Sequence, residues 1–115
     1  MTKSETPTLS SITITLDNID AFVFDFDGVL TNNKVYVDQN GKESVICSRS
    51  DGLAFDVLRK LQKPAYILST EKNPVVATRA KKLKIPAIQG VSNKVESIKQ
   101  LASQEMYNLK NIFYV

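Results

Sequence analysis

The sequence predicts a three-layer α/β fold, in which helices cover both faces of a parallel sheet. Patterns typical of strands and of helices alternate along the chain, and the strand-like runs are short and apolar, as in strands buried on both faces. Repeated strand–helix–strand units require right-handed crossovers, which place the strands parallel in one sheet. With 115 residues, 43% of them hydrophobic, we expect one domain with a buried core and no second domain.

The first segments predict a tail and a buried strand. Residues 1–15 are expected to form a flexible tail, because the chain opens with charged, Ser/Thr-rich sequence, and the domain is expected over 16–115. The apolar run at 21–26 stops just before Gly28 and has the length of a strand in the middle of a sheet. We expect this strand to be followed by a turn.

A β-hairpin is predicted next. The segments 34–38 and 42–48 are rich in β-branched or aromatic residues and flank Asn40-Gly41, the strongest short hairpin signal. Apolar side chains would lie on both faces of this two-stranded ribbon, which is marginal alone in water. The hairpin is therefore expected to be an association surface.

Three helices and three further strands complete the predicted order. The helices are expected over 51–63, where Pro64 ends the first, from Asn73-Pro74 to Leu83, and over 93–105. The strands are expected over 65–68, 85–89 and 111–115. Apolar residues at helical spacing are expected to face the sheet. They are Leu53, Phe55, Val57, Leu58 and Leu61 in the first helix, Val76, Ala80 and Leu83 in the second, and Val95, Ile98, Leu101 and Ala102 in the third.

The composition excludes several classes of site. Cys47 is the single cysteine and there is no histidine, which rules out an internal disulfide, a Cys/His zinc site and a Ser-His-Asp triad. A metal must therefore bind to oxygen ligands, which favours a hard ion such as Mg²⁺. The net charge of +3 includes a cluster at Lys81, Lys82 and Lys84, which we interpret as a solvated helix face and not as a nucleic-acid site. No run is long enough to span a membrane and no signal pattern opens the chain, so we expect a cytoplasmic protein without a membrane partner.

Candidate catalytic residues lie where the predicted strands end, which is where ligands bind in parallel sheets. Asp25 and Asp27 straddle the end of the first strand, and two unpaired carboxylates there would repel each other. A hard cation would neutralise them and polarise a phosphoryl group. Gly28 then permits a sharp turn close to a ligand.

The second and third sheet strands add groups that suit an anion. Ser69 and Thr70 follow one strand just before a helix, where a hydroxyl and free N–H groups can cradle a phosphate. Taken alone, such residues are more often helix caps. Lys94 lies at a helix start, where the dipole disfavours a cation, so an anionic ligand would offset the penalty. Carboxylate, metal, hydroxyl and ammonium together are what phosphoryl transfer needs.

These motifs resemble the haloacid dehalogenase (HAD) superfamily of phosphohydrolases, in particular its capless sugar-phosphate phosphatase branch. The resemblance rests on Asp25-Phe26-Asp27-Gly28-Val29-Leu30-Thr31, on Ser69-Thr70 and on Lys94, and it covers residues 16–115. It implies a Rossmann-like three-layer fold with a parallel sheet and a hairpin insertion after the first strand. The fourth motif of this family, an acidic loop that completes the Mg²⁺ site, would follow Val115, so we expect the C-terminal part of the domain to be missing. The chain is then either part of a longer phosphatase or a relative that has lost catalysis, and we expect poor hydrolysis or none from these 115 residues alone.

The resemblance also implies a role for each matching residue. Asp25 would be the nucleophile, Asp27 the general acid and base, and Ser69 and Lys94 would contact the phosphoryl group. The carboxylate of Asp25 and the backbone carbonyl of Asp27 would bind Mg²⁺. The residues implied to bind substrate are Asp27, Ser48, Arg49, Ser50, Asp51, Gly52, Thr70, Glu71, Arg79 and Lys94.

The function implied is hydrolysis of the terminal phosphate of an 8- or 9-carbon keto-sugar acid, through an aspartyl-phosphate, in lipopolysaccharide or sialic acid biosynthesis. The substrate stays open between 3-deoxy-D-manno-octulosonate 8-phosphate and a nonulosonate 9-phosphate, because Ser50 and Glu71 depart from the octulosonate pattern. The family implies a homotetramer formed through the 34–48 hairpin.

Two other functions share features of this sequence. The alternative is a non-catalytic HAD-like oligomerisation module, as appended to acylneuraminate cytidylyltransferases. A two-component receiver domain is disfavoured, because receivers carry the phosphoacceptor on the third strand and Asp25 ends the first.

Overall fold

The computed structural model describes residues 16–115, so the tail expected at 1–15 lies outside the described residues. The described chain begins with a 3₁₀ turn at Leu16–Asn18 and has a second 3₁₀ turn at Leu109–Asn111. Its strands are β1 (Ala21–Asp25), β2 (Tyr36–Val37), β3 (Glu43–Ser44), β4 (Ala65–Leu68), β5 (Ala87–Ile88) and β6 (Ile112–Tyr114). Its α-helices are α1 (Asp51–Lys60), α2 (Val75–Leu83) and α3 (Lys94–Glu105).

Four strands form a parallel sheet in the order β5-β4-β1-β6. The central strand β1 pairs with β4 from Phe22 opposite Ala65 to Asp25 opposite Leu68, and with β6 through Val23 opposite Tyr114. Because the strands are parallel, their carboxyl ends lie at one edge of the sheet. The loops after β1, β4 and β5 therefore meet there, which is the arrangement predicted from the sequence.

The sheet is covered on both faces, which confirms the three-layer α/β prediction. Successive side chains of β4 point to opposite faces, so Ile67 joins one core cluster and Leu68 the other. The first cluster contains Phe26 and Ile67 together with Phe55 of α1 and residues of α2, and the second contains Leu68 and Leu101 of α3. Helices α1 and α2 thus cover one face, and α3 covers the other.

The predicted apolar faces are right for one helix and partly wrong for two. In α2, Val76, Ala80 and Leu83 are buried as expected. In α1, Phe55 is buried and Leu58 packs on the same cluster, but Leu53, Val57 and Leu61 are exposed, with Leu53 at 70%. Phe55 contacts Phe24 of β1 edge to face, with ring centroids 5.0 Å apart, and this packing decides which side of α1 faces the sheet. In α3, Val95 is exposed, whereas Leu101 and Ala102 are buried.

Each α-helix ends with one residue in the left-handed conformation. The first helix was expected to reach residue 63, but Gln62 has a φ of 58° and the Lys63 N–H donates to the carbonyl of Leu58 at 2.9 Å. This is a Schellman motif, which stops the helix before Pro64. The other two helices end the same way, with Lys84 and Met106 left-handed, Ile85 N donating to Ala80 O, and Tyr107 N donating to Ala102 O.

The two hairpin strands and the last two strands of the sheet are shorter than expected. The hairpin ladder joins only Tyr36–Val37 to Glu43–Ser44, because the Asp38 carboxylate accepts hydrogen bonds from the Asn40 and Lys42 amides and forms a wide turn. The strand expected over 85–89 is reduced to β5, since the Ile85 amide closes α2 and Pro86 has no N–H to donate. The last strand, expected over 111–115, is β6.

Candidate active site

An ion pair joins the end of β1 to the start of α3. Asp25 is the last residue of β1, and its Oδ1 accepts a hydrogen bond from Nζ of Lys94, the first residue of α3. The side chain of Asp25 is 33% exposed and that of Lys94 is 29% exposed. Burial opposes the charge of Lys94, but the hydrogen bond and negative charge of Asp25, with a smaller contribution from the phenol of Tyr114, raise the pKa of Lys94 above its usual value. Lys94 therefore stays a cation, although it lies at a helix N-terminus.

The loop after β1 is held by a buried threonine. Gly28 has a φ of +79°, a conformation that favours glycine, and the chain turns sharply there. The hydroxyl oxygen of Thr31 accepts hydrogen bonds from the amides of Gly28, at 3.2 Å, and Asn33, at 3.0 Å. Asp27 is exposed in this loop. The fold thus separates the two carboxylates: Asp25 is paired with a lysine, and Asp27 faces outward.

Ser69 lies directly after β4 and is almost completely buried, with 2% of its surface exposed. Its hydroxyl oxygen accepts a hydrogen bond from the Glu71 amide at 3.0 Å. Within residues 16–115, this is the one hydrogen bond that the hydroxyl makes, so its O–H hydrogen remains able to donate to an anion. The carboxylate of Glu71 turns back on its own loop and accepts from the amides of Lys72 and Asn73.

A cleft of about 190 Å³ separates the β1 loop from the hairpin and the β4 loop. Asp27 and Glu71, both predicted to bind substrate, lie on its wall. The remaining lining residues are Thr31, Asn33, Lys34, Val35, Glu43, Ser44, Val45, Asn73 and Val75. The cleft therefore combines the exposed carboxylate of Asp27 with side chains from the base of the hairpin.

A second group of predicted substrate residues lies around Arg79. Nη2 of this arginine, on α2, donates to the backbone carbonyl of Ser48 at 2.7 Å. Its Nε and Oδ2 of Asp51 are both buried and have no hydrogen-bond partner among residues 16–115. Burial raises the pKa of the neighbouring Cys47 thiol above its usual value. The charge of Arg79 lowers this pKa and the charge of Asp51 raises it, both by smaller amounts than burial does. Each unpaired atom leaves capacity for a ligand or a bridging water.

The structure brings some of the predicted site residues together and leaves others apart. Asp25 and Lys94 are in contact, and Ser69 follows the adjacent strand. Ser48 contacts both Arg79 and Ser50, whose hydroxyl lies 2.7 Å from its own. The side chains of four other predicted substrate residues make no hydrogen bond in the described part of the chain, and Gly52 has no side chain. The four are Asp27, Arg49, Asp51 and Thr70.

Three residues of this region are assigned no role by the sequence, although Gln89 belongs to the stretch that carries the family resemblance. Thr31 belongs to the Asp-rich motif but was assigned no role, and Tyr114 was read only as part of a strand. Gln89 donates hydrogen bonds to two carbonyls of the β4 loop. A polar residue placed directly after a short strand was the available signal for Gln89, but its contacts depend on how two loops meet.

The oxygen atoms near the end of β1 fit part of a magnesium site. Asp25 supplies a carboxylate, and the backbone carbonyl of Asp27 accepts no hydrogen bond from residues 16–115. No group of three or more His, Cys, Asp or Glu that could hold a metal occurs in the described chain. Mg²⁺ is commonly bound by one or two carboxylates, with waters and substrate phosphate completing its shell. The residues present therefore fit Mg²⁺ as a partial ligand set.

Several solved structures share the fold of this chain. No family model matches the chain. A Streptomyces avermitilis protein assigned to the HAD family of hydrolases is 44% identical, with a TM-score of 0.84, and the alignment covers 88% of this chain and 58% of that protein. The 3-deoxy-D-manno-octulosonate 8-phosphate phosphatase of Moraxella catarrhalis, solved with magnesium, phosphate and KDO, is 26% identical, with a TM-score of 0.81 and coverages of 86% and 57%.

A third similar structure is the cobalt-bound deoxy-D-mannose-octulosonate 8-phosphate phosphatase of Haemophilus influenzae. It is 27% identical, with a TM-score of 0.78, and the alignment covers 86% of this chain and 58% of that protein. The chain thus spans less than two-thirds of each of these relatives. Its structural neighbours are HAD family hydrolases that include octulosonate phosphatases, which confirms the resemblance found in the sequence.

None of the helices within residues 16–115 is both long and apolar enough to cross a membrane.

Proposed function

We propose that this chain carries the phosphoryl-transfer residues of a Mg²⁺-dependent phosphatase that acts on the terminal phosphate of an 8- or 9-carbon keto-sugar acid. The observation that carries the proposal is the Asp25–Lys94 pair at the carboxyl end of β1, with the buried hydroxyl of Ser69 after the adjacent strand β4. A carboxylate held by a cation beside a hydroxyl with a free hydrogen suits a phosphoryl group.

In the first step, an Asp25 carboxylate oxygen attacks phosphorus, and the bond between phosphorus and the sugar oxygen breaks. Asp27 gives its proton to that leaving oxygen. Asp27 then takes a proton from water, which attacks the phosphorus of the aspartyl-phosphate, releases orthophosphate and restores the Asp25 carboxylate. The exposure of Asp27 on the cleft supports its role at the leaving group, and the contact of Asp25 with Lys94 supports its role at phosphorus.

Ser69 and Lys94 would hold the phosphoryl oxygens, one through its O–H hydrogen and the other through its ammonium. Because the pKa of Lys94 is raised, its charge is present at neutral pH. Asp25 and the Asp27 carbonyl would hold Mg²⁺, which when bound offsets negative charge on the phosphoryl group. The chain's own residues thus provide attack, proton transfer and orientation.

The sugar would extend from Asp27 into the cleft beside Glu71, and its carboxylate would meet Arg79. Arg79 uses Nη2 to bind the Ser48 carbonyl, so the other Nη–H groups of its guanidinium remain available as donors. The Ser48–Gly52 stretch would lie along the sugar. The Glu71 carboxylate already accepts hydrogen bonds from two backbone amides of its own loop. Only its remaining lone pairs can therefore accept a hydrogen bond from a sugar hydroxyl.

Association through the hairpin is a second part of the proposal. Val35, Tyr36, Val37 and Ile46 are exposed, with Val37 at 63%. A ribbon with this much exposed apolar surface would gain stability by packing on other copies, and a tetramer in the cytoplasm is the form that we propose. The same surface favours a second candidate function, a non-catalytic oligomerisation module.

Hydrolysis of octulosonate 8-phosphate and nonulosonate 9-phosphate, with Mg²⁺ and with EDTA, tests the proposal. We expect hydrolysis that requires Mg²⁺ and falls by roughly 10³-fold or more in Asp25→Asn, because the amide is a poor nucleophile. Asp38→Asn is the matched control, since its side-chain oxygen can still accept the two turn amides, and it should retain wild-type turnover. Equal turnover in Asp25→Asn and wild type would refute Asp25 as the nucleophile, and turnover that persists in EDTA would refute the requirement for Mg²⁺.

A further inference from the structure

Gln89 is the side chain that ties the β4 loop to the β5 loop. It follows β5 directly and is half-buried. Its Nε2 donates to the backbone carbonyls of Glu71 and Asn73, each at 3.2 Å. A primary amide has two N–H hydrogens, so both of its donors are used on the same loop.

The backbone bonds around Gln89 run between the same two loops. The Gly90 amide donates to the Glu71 carbonyl at 3.0 Å, and the Val91 amide donates to the Ser69 carbonyl at 3.2 Å. Glu71 is in turn bonded to the Ser69 hydroxyl through its own amide. Within residues 16–115, Gln89 is the one residue whose side chain bonds across these loops.

The two loops carry different parts of the candidate phosphate site. The β4 loop begins with Ser69, and the β5 loop leads through Asn93, whose side chain caps α3, to Lys94. If the loops shifted relative to each other, the Ser69 hydroxyl and the Lys94 ammonium would no longer converge on one phosphoryl group. A bond between the loops therefore fixes the spacing of two groups that lie far apart in sequence.

We propose that Gln89 is a positioning residue, which holds the Ser69 loop against the Lys94 loop so that both can bind one phosphate. This inference rests on the proposed function. Gln89 itself touches neither the phosphate nor the metal. Its effect should therefore appear in phosphate affinity, while Mg²⁺ affinity in the absence of phosphate stays the same.

The test measures binding of orthophosphate to the 115-residue chain in the presence of Mg²⁺, by calorimetry, for wild type and two variants. Gln89→Met keeps the length of the side chain but removes both donors, and we expect a Kd for phosphate about tenfold higher. Gln100→Met makes the same change at an exposed position of α3 and should bind as wild type does. Hydrogen exchange at the Gly90 amide should be faster in Gln89→Met than in wild type.

A second measurement needs no substitution, in case Gln89→Met does not fold. In ¹⁵N-labelled wild type, the side-chain NH₂ signals of Gln89 should shift during phosphate titration with the same Kd as the Glu71 amide. Unchanged phosphate affinity in a folded Gln89→Met would overturn the positioning role. So would Gln89 NH₂ signals that do not shift during a phosphate titration in which the Glu71 amide signal shifts. Absence of phosphate binding by wild type would instead overturn the proposed function, and this inference with it.

Discussion

The strand-end loops and the hairpin are built in opposite ways. The loops after β1 and β4 are each held by an internal hydrogen bond, from the Gly28 amide to Thr31 and from the Glu71 amide to Ser69, and Gln89 joins the β4 loop to the β5 loop. The hairpin has a ladder of two residue pairs, and most of its apolar side chains are exposed. Polar groups that must stay at fixed distances are thus held internally, whereas the hairpin has apolar surface still to be covered.

This contrast shows where each region obtains its stability. The site loops sit on a sheet whose core residues are fully buried, so their positions are set within the chain. Val45 and Cys47 are the hairpin residues that pack partly on that core, and they anchor the base of the ribbon. The outer part of the hairpin makes few contacts with its own domain, which is expected of a surface that associates with another molecule.

The largest effect should come from breaking the core beneath the site loops. Phe26 is fully buried between α1 and the sheet, so Phe26→Ala should lower the free energy of unfolding by about 3–5 kcal/mol, because it leaves a cavity. Val37→Ala, in the hairpin, should change it by less than about 0.5 kcal/mol at protein concentrations where the chain is a monomer. Urea unfolding followed by circular dichroism would measure both. If Phe26→Ala leaves no folded fraction, Ile67→Val should give a loss of about 1 kcal/mol.

Similar losses for Phe26→Ala and Val37→Ala would contradict the contrast between the two regions. They would mean that the hairpin is as much part of the folding unit as the sheet is.

The second prediction concerns which exposed apolar surface associates. Val37→Lys should dissociate the oligomer, raising its dissociation constant by about 100-fold or more, because a charge would be buried at the contact. Val57→Lys is the matched control on α1, where Leu53, Val57 and Leu61 form another exposed apolar surface. Light scattering at micromolar concentration gives the mass of each variant. A wild-type monomer would rule out association through the hairpin, and dissociation by Val57→Lys alone would assign it to α1 instead.

The smallest effect concerns the charge of Lys94. Its pKa is raised in the folded state, so the Asp25–Lys94 pair stabilises the fold fully below the ordinary lysine pKa of 10.5, and this stabilisation is lost as the pH rises through the folded-state pKa. The difference in Tm between wild type and Lys94→Met should be constant from about pH 7 to 9.5 and shrink above that range. Lys99→Met, at an exposed position of α3, controls for the titration of the other lysines.

Calorimetric scans at each pH would measure these Tm values. A difference that grows as the pH rises above 10 would mean that the pair does not favour the charged lysine.

The sequence by itself determined the parallel α/β sheet, the order of its elements and the strand-end placement of Asp25, Ser69 and Lys94. These features depend on local periodicity and on the parallel direction of the strands, both of which are properties of the chain order. The sequence predicted that the helices and the hairpin exist, but not where each of them ends. Helices end here at left-handed residues such as Gln62 and Lys84, and because these are not glycines the sequence does not mark the end.

Only the tertiary structure decided which helix faces are buried and which side chains link the loops. In α1, both Phe55 and the Leu53–Val57–Leu61 stripe have helical spacing, and packing against Phe24 selects Phe55. Gln89 reaches Glu71 and Asn73 only because β5 lies beside β4, and Arg79 reaches Ser48 across 31 residues of sequence. Contacts between distant segments depend on the packing of the whole domain, and sequence spacing does not encode that packing.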